Sequence, residues 1–281
     1  MIPLSCSDYS FPLLRRALRF ALLQLLRFKY VDIGLFERNE GLKPSQLIAA
    51  PVAFTRELKH ELQRAGLQVS DIFLQTGLDP AVAAANDPNV RVRSRNRKAF
   101  LHTLDLCAAL GCSHMTGLPG VRHKGTKRAD DFALAAEEAY WRQRAASEAG
   151  VSYAIEPHIG SLCADVASTR RMLDAVPGLT LTLDYGHFVS AGIDSRLVHS
   201  LLPAASHIHL RGGARGRLQT PVNESEIDFA GMFRRLRKQK YKGSLAIEYV
   251  WTEWKQCNCT DNISETLLLR RKFEDFEGRQ Q

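Results

Sequence analysis

The sequence has no apolar run long enough to cross a membrane, since none reaches the roughly 18 to 20 residues that span a bilayer. Its opening segment, MIPLSCSDYSF, also lacks the basic start and continuous apolar stretch of a secretory signal. These two absences argue against a membrane protein and against a secreted one. We therefore expect a cytoplasmic protein with no membrane partner.

Cysteines are few and scattered, which excludes the dense disulfide framework of a small secreted domain. The six are Cys6, Cys107, Cys112, Cys163, Cys257 and Cys259. The pair Cys257 and Cys259 is too closely spaced for a zinc ribbon and has no second pair to complete four ligands. We expect reduced thiols and no structural zinc.

Glycine-rich phosphate-binding motifs are also absent. No Gly-x-Gly-x-x-Gly follows the first predicted strand, and no Gly-x-x-x-x-Gly-Lys-Ser/Thr occurs anywhere. Dinucleotide-binding and P-loop proteins depend on these motifs to hold phosphates, so both classes are disfavoured. No linker, low-complexity segment or close internal repeat interrupts the chain, and we expect one domain over residues 1–281.

Basic residues exceed acidic ones, with 38 Lys and Arg against 30 Asp and Glu and a formal net charge of +8. This excess permits attraction to phosphates on nucleic acid or on a metabolite. Two basic runs, residues 122–128 and 211–217, can form an anion clamp, but neither carries interleaved aromatics for base stacking. A phosphate or carboxylate on a small substrate accounts for them as well as RNA does, and salt-dependent nucleic-acid binding would identify a non-enzymatic binding module.

Short apolar runs alternate with longer segments of helical period, and eight such pairs can be counted. The predicted strands are residues 2–6, 30–36, 67–75, 112–117, 151–156, 179–184, 206–210 and 244–250. Helices are predicted over residues 44–65 and 91–110, from their apolar stripes. Strands that alternate with helices indicate a parallel sheet, and eight units favour closure. The expected fold class is α/β, as a single (β/α)8 TIM barrel.

Four consecutive late strands reach an acid or an imidazole where their apolar runs stop: Glu156, Asp184, His209 and Glu248. In a barrel, the carboxyl ends of the strands form the active-site mouth, so these side chains should converge. Three carboxylates in one mouth would repel one another unless a cation neutralised them. The pattern predicts one divalent metal ion, and three oxygen ligands with one imidazole suit Mn²⁺, Mg²⁺ or Co²⁺, with zinc as an alternative.

These segments resemble the xylose isomerase-like barrels, which include sugar-phosphate isomerases and epimerases, ketose 3-epimerases, inosose dehydratases and zinc apurinic endonucleases. The resemblance covers nearly the whole chain. It is most specific in Ile155-Glu156-Pro157-His158, Leu183-Asp184-Tyr185-Gly186-His187-Phe188, His207-Ile208-His209-Leu210 and Ala246-Ile247-Glu248. It implies the same four metal ligands, a carbohydrate-like substrate and, because relatives are often dimers or tetramers, a homo-oligomer.

The resemblance also implies a reaction. A ketose that chelates the metal through its carbonyl and a neighbouring hydroxyl loses an acidified proton, and the metal offsets the charge of the resulting enediolate. Glu156 and Glu248 would act as the catalytic pair, one removing the proton and the other returning it. Return to the opposite face gives epimerisation, and return to the adjacent carbon gives isomerisation.

Further site residues follow from their spacing to these ligands. His187, three residues after Asp184, and Arg215, six after His209, stand where the resemblance implies contacts with substrate hydroxyls. His158, just beyond Glu156, is a third candidate for substrate binding. His207 shares the strand parity of His209 but should lie one layer deeper, as a packed or supporting histidine.

Two other activities stay open. A lyase or dehydratase would use the same enediolate to expel a substituent, and the ligands alone do not separate the two. An apurinic endonuclease would need extra histidines for a three-metal cluster, whereas residues 37–41, 75–79 and 211–225 contain none. The chain also departs from its relatives after the seventh strand, where residues 223–228 lack their Gly-x-Gly, and at Asp32, near where many carry glutamate. These departures bear on the substrate more than on the metal.

Overall fold

The computed structural model describes residues 2–38 and 41–278. The barrel strands are β1 (Leu4–Ser7), β2 (Tyr30–Phe36), β3 (Gln68–Gln75), β4 (His114–Gly117), β5 (Ser152–Ile155), β6 (Thr180–Asp184), β7 (Ala205–Leu210) and β10 (Ser244–Ile247). They are parallel and close into a ring in the order β1, β10, β7, β6, β5, β4, β3, β2. The predicted eight-stranded (β/α)8 barrel is confirmed. An antiparallel hairpin, β8 (Gly212–Ala214) and β9 (Arg217–Thr220), is inserted after β7.

Helices connect the strands around the outside of the barrel. They are α1 (Arg16–Leu25), α2 (Pro44–Ala49), α3 (Pro51–Ala65), α4 (Val90–Leu110), α5 (Arg128–Glu148), α6 (Val166–Ala175), α7 (Tyr185–Ser190), α8 (Ser195–Val198), α9 (Phe229–Lys238) and α10 (Asn262–Gly278). Within the described residues, no helix has both the length and the apolar character needed to cross a membrane.

The helix predicted over residues 44–65 is in fact two helices, and this expectation was wrong. Ala50 separates α2 from α3 with φ −145° and ψ 63°, outside the helical region. The cause is Pro51, because a proline disfavours the α conformation in the residue before it and has no backbone N–H to continue the ladder.

The helix predicted over residues 91–110 is confirmed as α4. Its C-terminal residue is followed by Gly111 at φ 69°, and α3 is likewise followed by Gly66 at φ 64°. This left-handed conformation is accessible to glycine without the strain that a Cβ would introduce. Both glycines therefore end a helix shortly before the next strand begins.

Polar side chains line the interior of the barrel. Thr116 of β4 lies 2.6 Å from Thr182 of β6, and Nε2 of His207 of β7 lies 2.6 Å from a carboxylate oxygen of Asp32 of β2. These contacts join strands that are not neighbours in the ring, so they cross the interior. All four side chains are buried. The apolar core lies instead between the sheet and the helices, as the alternation of side chains along a strand requires.

The register of the late strands brings the predicted site residues to one end of the barrel. Asp184 pairs with His209 across β6 and β7. The backbone N–H of Glu248 donates to Leu210 at 2.9 Å, and that of Glu156 donates to Gly117 at the same distance. Each glutamate thus extends the backbone hydrogen bonding of its strand by one residue. Both side chains line the cleft at the mouth of the barrel.

Candidate active site

A cleft of about 260 Å³ opens at the carboxyl end of the strands. Glu156, Glu248, His158, His187 and Arg211 form its polar wall. Aromatic side chains also line the cleft, namely Tyr9, Phe36, Phe73, Trp251 and Trp254. Such a concave site, mostly apolar with a few convergent polar groups, is typical of a small-molecule pocket.

Glu156 and Glu248 of the cleft form a compact group with His209. Nδ1 of His209 lies 2.6 Å from Oε1 of Glu156 and 3.3 Å from Oε2 of Glu248. One ligand atom from each of the three lies within 4.8 Å of the others. Two carboxylates and one imidazole in this arrangement can hold a divalent metal ion with coordination positions left open.

Asp184 belongs to a neighbouring group rather than to this one. A ligand atom of Asp184 lies within 4.8 Å of atoms on Glu156 and His187. Among the residues that the structure describes, the four predicted ligands are therefore divided between two overlapping groups that share Glu156. Asp184 also serves as the N-cap of α7, since its Oδ1 accepts the N–H of Gly186 at 2.7 Å.

The electrostatics of the buried acids favour a cation. Burial raises the pKa of Glu156 to about 7 against the opposing effect of His209, and burial likewise raises the pKa of Asp184 despite Arg211. Burial also acts to raise the pKa of Glu248, but Arg211 and His209 outweigh it and leave that pKa below its ordinary value. Two raised carboxyl pKa values mean that the surrounding charges compensate these acids incompletely.

An unpartnered oxygen in the same place agrees with this. Oε2 of Glu248 is buried and has no hydrogen-bond partner among the described groups. Buried polar atoms are normally satisfied, so such exceptions mark places where a ligand or an ion completes the bonding. The residues present therefore fit a divalent cation held by Glu156, His209 and Glu248.

Arg211 is the main site residue that sequence reasoning missed. Its Nε donates to Oδ2 of Asp184 at 2.8 Å, and its Nη2 contacts the same oxygen and lies 3.4 Å from Oε2 of Glu248. The sequence carried one signal for it, because a residue two positions after His209 points to the same side of the strand. Charge patterning alone places Arg211 in the basic run 211–217.

Arg215 lies apart from the cleft, contrary to the position expected for a substrate-binding residue. It stands in the turn of the β8–β9 hairpin, is exposed, and directs its Nη2 to the carbonyl of Gly192 at 3.4 Å. It lines a separate surface depression with Arg196 and Glu226. The hairpin carries the chain outward after Arg211, which spacing from His209 alone does not reveal.

Replacement of Arg215 by Ala is expected to change kcat/KM by less than about threefold, because exposed side chains away from a site contribute little. The measurement uses a substrate whose α-proton the wild-type protein exchanges with D2O. A loss of more than about tenfold would mean that the hairpin brings Arg215 to the substrate during turnover.

His158 and His187 both line the cleft, as substrate contact would require. Nε2 of His158 is buried without a partner among the described residues, while its Nδ1 lies 2.8 Å from the carbonyl of Ile159. Nε2 of His187 lies 3.3 Å from Nη2 of Arg211 and 3.6 Å from Oδ2 of Asp184. His158 therefore has a free ring nitrogen for a hydroxyl, and His187 belongs to the cluster around Arg211.

A buried polar layer supports His209 from below. Asp32 lies 2.6 Å from Nε2 of His207 and 3.7 Å from Nε2 of His209, and Asp71 completes a group whose ligand atoms are mutually within 4.8 Å. His207 thus lies deeper in the barrel interior than His209, as the strand parity of the two residues predicts. His114 in turn contacts Asp71 at 2.6 Å.

The chain is a closed TIM barrel in which acids and imidazoles gather at the carboxyl ends of the strands. These groups could hold a metal ion. Residues 20–271 match the family described as xylose isomerase-like TIM barrel, and the chain belongs to that family. A sequence search of curated proteins gives no significant match.

Solved structures share this fold at low sequence identity. An L-ribulose 3-epimerase is 18% identical with a TM-score of 0.75, covering 98% of this chain and 94% of its own. The 3-keto-D-glucoside 4-epimerase YcjR from E. coli is 14% identical with a TM-score of 0.70, covering 97% and 100%. The IOLI protein, described with a zinc atom, is 13% identical with a TM-score of 0.72, covering 98% of both chains. At these identities the likeness establishes the fold.

Proposed function

We propose that the protein is a divalent-metal-dependent epimerase or isomerase that moves a proton on the carbon beside a carbonyl of a small sugar, sugar phosphate or keto-acid. The observation that carries the proposal is the placement of two cleft carboxylates, Glu156 and Glu248, at 2.6 Å and 3.3 Å from Nδ1 of His209. Two carboxylates that face one small volume can remove a proton and return it elsewhere.

Glu156, His209 and Glu248 would hold the metal ion, for which Mn²⁺, Mg²⁺ and Co²⁺ are the first candidates and Zn²⁺ an alternative. When bound, the ion would act as a Lewis acid that lowers the cost of negative charge on the substrate's oxygens. A structure similar in fold, the IOLI protein, is described with zinc. That description supports a metal in such a barrel without fixing its identity here.

The remaining residues position the substrate and exclude water. The free Nε2 of His158 can bond a substrate hydroxyl, and the guanidinium of Arg211 adds a fixed positive charge to the cleft wall. Tyr9, Phe36 and Phe73 pack edge to face with centroids 4.9 to 6.2 Å apart, which makes a rigid apolar wall. Apolar rings beside a few convergent polar groups limit the access of water to a substrate that is deprotonated during the reaction.

The proposal is tested by metal analysis of protein purified without chelator, followed by a screen of ketoses, keto-acids and inositol derivatives in D2O. Incorporation of deuterium beside a carbonyl, with a metal bound, is the expected result. Mass spectrometry on the same samples detects loss of water, which would identify a dehydratase instead. A protein that binds no divalent metal under any condition would refute the proposal.

Chelation is expected to lower the stability of the folded protein as well as its activity. A ligand that binds only the folded state stabilises it by about 2.7 kcal/mol at a free concentration 100 times its Kd. Removal of the ion with EDTA should reduce the free energy of unfolding by about that amount, measured by urea denaturation. Re-addition of Mn²⁺ or Co²⁺ should restore it, and an unchanged denaturation curve would argue against a bound ion in the native protein.

A further inference from the structure

Arg211 lies where the metal ligands of this site should meet. Its side chain is 5% exposed and reaches from β7 to Asp184, which is fully buried. Both carboxylate oxygens of Asp184 are already used, Oδ1 by the N–H of Gly186 at 2.7 Å and Oδ2 by Nε and Nη2 of Arg211. An ion that recruited Asp184 would have to compete with this buried, charge-assisted contact and approach the positive charge of Arg211.

The local backbone leaves room for this contact. A Cβ built on Gly186 would lie 3.3 Å from Nε of Arg211 and 3.0 Å from Oδ1 of Asp184. Any larger residue at this position would press against the guanidinium and the carboxylate together. Arg211 also lines the cleft, whereas Asp184 does not reach its surface. The glycine in the turn after β6 therefore accommodates the contact between Arg211 and Asp184.

We propose that Arg211 removes Asp184 from the metal ligand set, so that the ion is held by Glu156, His209 and Glu248 while Asp184 anchors a fixed guanidinium beside it. This inference rests on the proposed function, because it concerns the same ion. It departs from the four-ligand set that the sequence pattern predicted. With Asp184 neutralised by Arg211, the two remaining carboxylates balance a divalent charge.

The test is a double-mutant cycle on the full-length chain, using Co²⁺ as the probe. The variants are Asp184→Asn, Arg211→Met and the two combined. The Kd is measured by calorimetry, and the visible absorption of bound Co²⁺ reports its coordination. Asn retains an oxygen for the N–H of Gly186, and circular dichroism checks that each variant is folded. Arg215→Met is the matched control, because it removes the same charge from outside the cleft.

Asp184→Asn alone is expected to leave the Co²⁺ spectrum like that of the wild type. Arg211→Met should change the spectrum and tighten Co²⁺ binding by about tenfold or more, the size of effect that groups around a metal commonly have. The combined variant should lose both changes, and Arg215→Met should show neither. Binding by Arg211→Met in the absence of any binding by the wild type would overturn the inference together with the proposed function, because the native site would then hold no ion.

An altered spectrum and strongly weakened binding in Asp184→Asn alone would overturn the inference, since Asp184 would then be a ligand in the presence of Arg211. The proposed function would survive that result. Absence of Co²⁺ binding in all four proteins of the cycle would overturn both. Arg211→Lys provides a second check, because lysine keeps the charge without the planar fork and should give a spectrum between those of the wild type and Arg211→Met.

Discussion

Replacement of Glu156 by Gln is expected to abolish exchange of the substrate's α-proton with D2O. Removal of a positioned general base commonly costs about 10²- to 10⁴-fold in rate. Gln has nearly the same shape as Glu but cannot accept the proton, and it also weakens the contact with Nδ1 of His209, now 2.6 Å. The rate of exchange is followed by loss of the α-proton signal in NMR spectra, with saturating metal and substrate.

Glu137→Gln is a suitable control, because this glutamate is largely exposed on α5 and lies away from the cleft. It should exchange at the wild-type rate. Saturating metal separates the two roles of Glu156, since weakened metal binding alone is rescued by excess ion whereas loss of the base is not. Persistent exchange in Glu156→Gln would remove Glu156 as the base and leave Glu248 as the remaining candidate, to be tested by the corresponding substitution.

The position of the site could be predicted from the sequence because each late strand ends its apolar run with a polar residue. Parallel strands in a closed barrel place such residues at the same mouth, so Glu156, His209 and Glu248 meet as expected. This argument uses only backbone periodicity and topology. It does not depend on the length or direction of any side chain.

The part that could not be predicted depends on long side chains and on loops. Arg211 reaches Asp184 at the end of the neighbouring strand β6 through its long side chain, and Arg215 lies apart from the cleft because a hairpin intervenes. In the polar layer inside the barrel, the sequence predicts His207 but not its carboxylate partners, for another reason. Asp32 and Asp71 interrupt strands that we treated as apolar, and strand parity alone does not say whether a buried acid faces the helices or the interior.

Replacement of Asp32 by Asn is expected to lower the free energy of unfolding by about 3–5 kcal/mol, the usual effect of removing one partner from a buried ion pair. Asp32 is fully buried, lies 2.6 Å from Nε2 of His207, and accepts the hydroxyls of Ser5 at 2.7 Å and Ser70 at 2.5 Å. Asn keeps an oxygen for the two serine hydroxyls, so the expected loss comes from replacing the carboxylate oxygen that faces Nε2 of His207 with an amide NH2. Urea denaturation at neutral pH gives the difference.

The same substitution should also weaken metal binding, by about 10- to 100-fold, because carboxylates behind a ligating histidine hold its ring and tautomer in place. Nε2 of His209 lies 3.7 Å from Oδ2 of Asp32, on the side of the ring away from Glu156. Ser5→Ala is the control, since it removes one hydrogen bond to Asp32 and leaves the charge, and should cost about 1 kcal/mol with the metal affinity unchanged. If Asp32→Asn loses stability but binds metal as tightly as the wild type, Asp32 supports the barrel interior alone and His209 is oriented by Glu156 and Glu248.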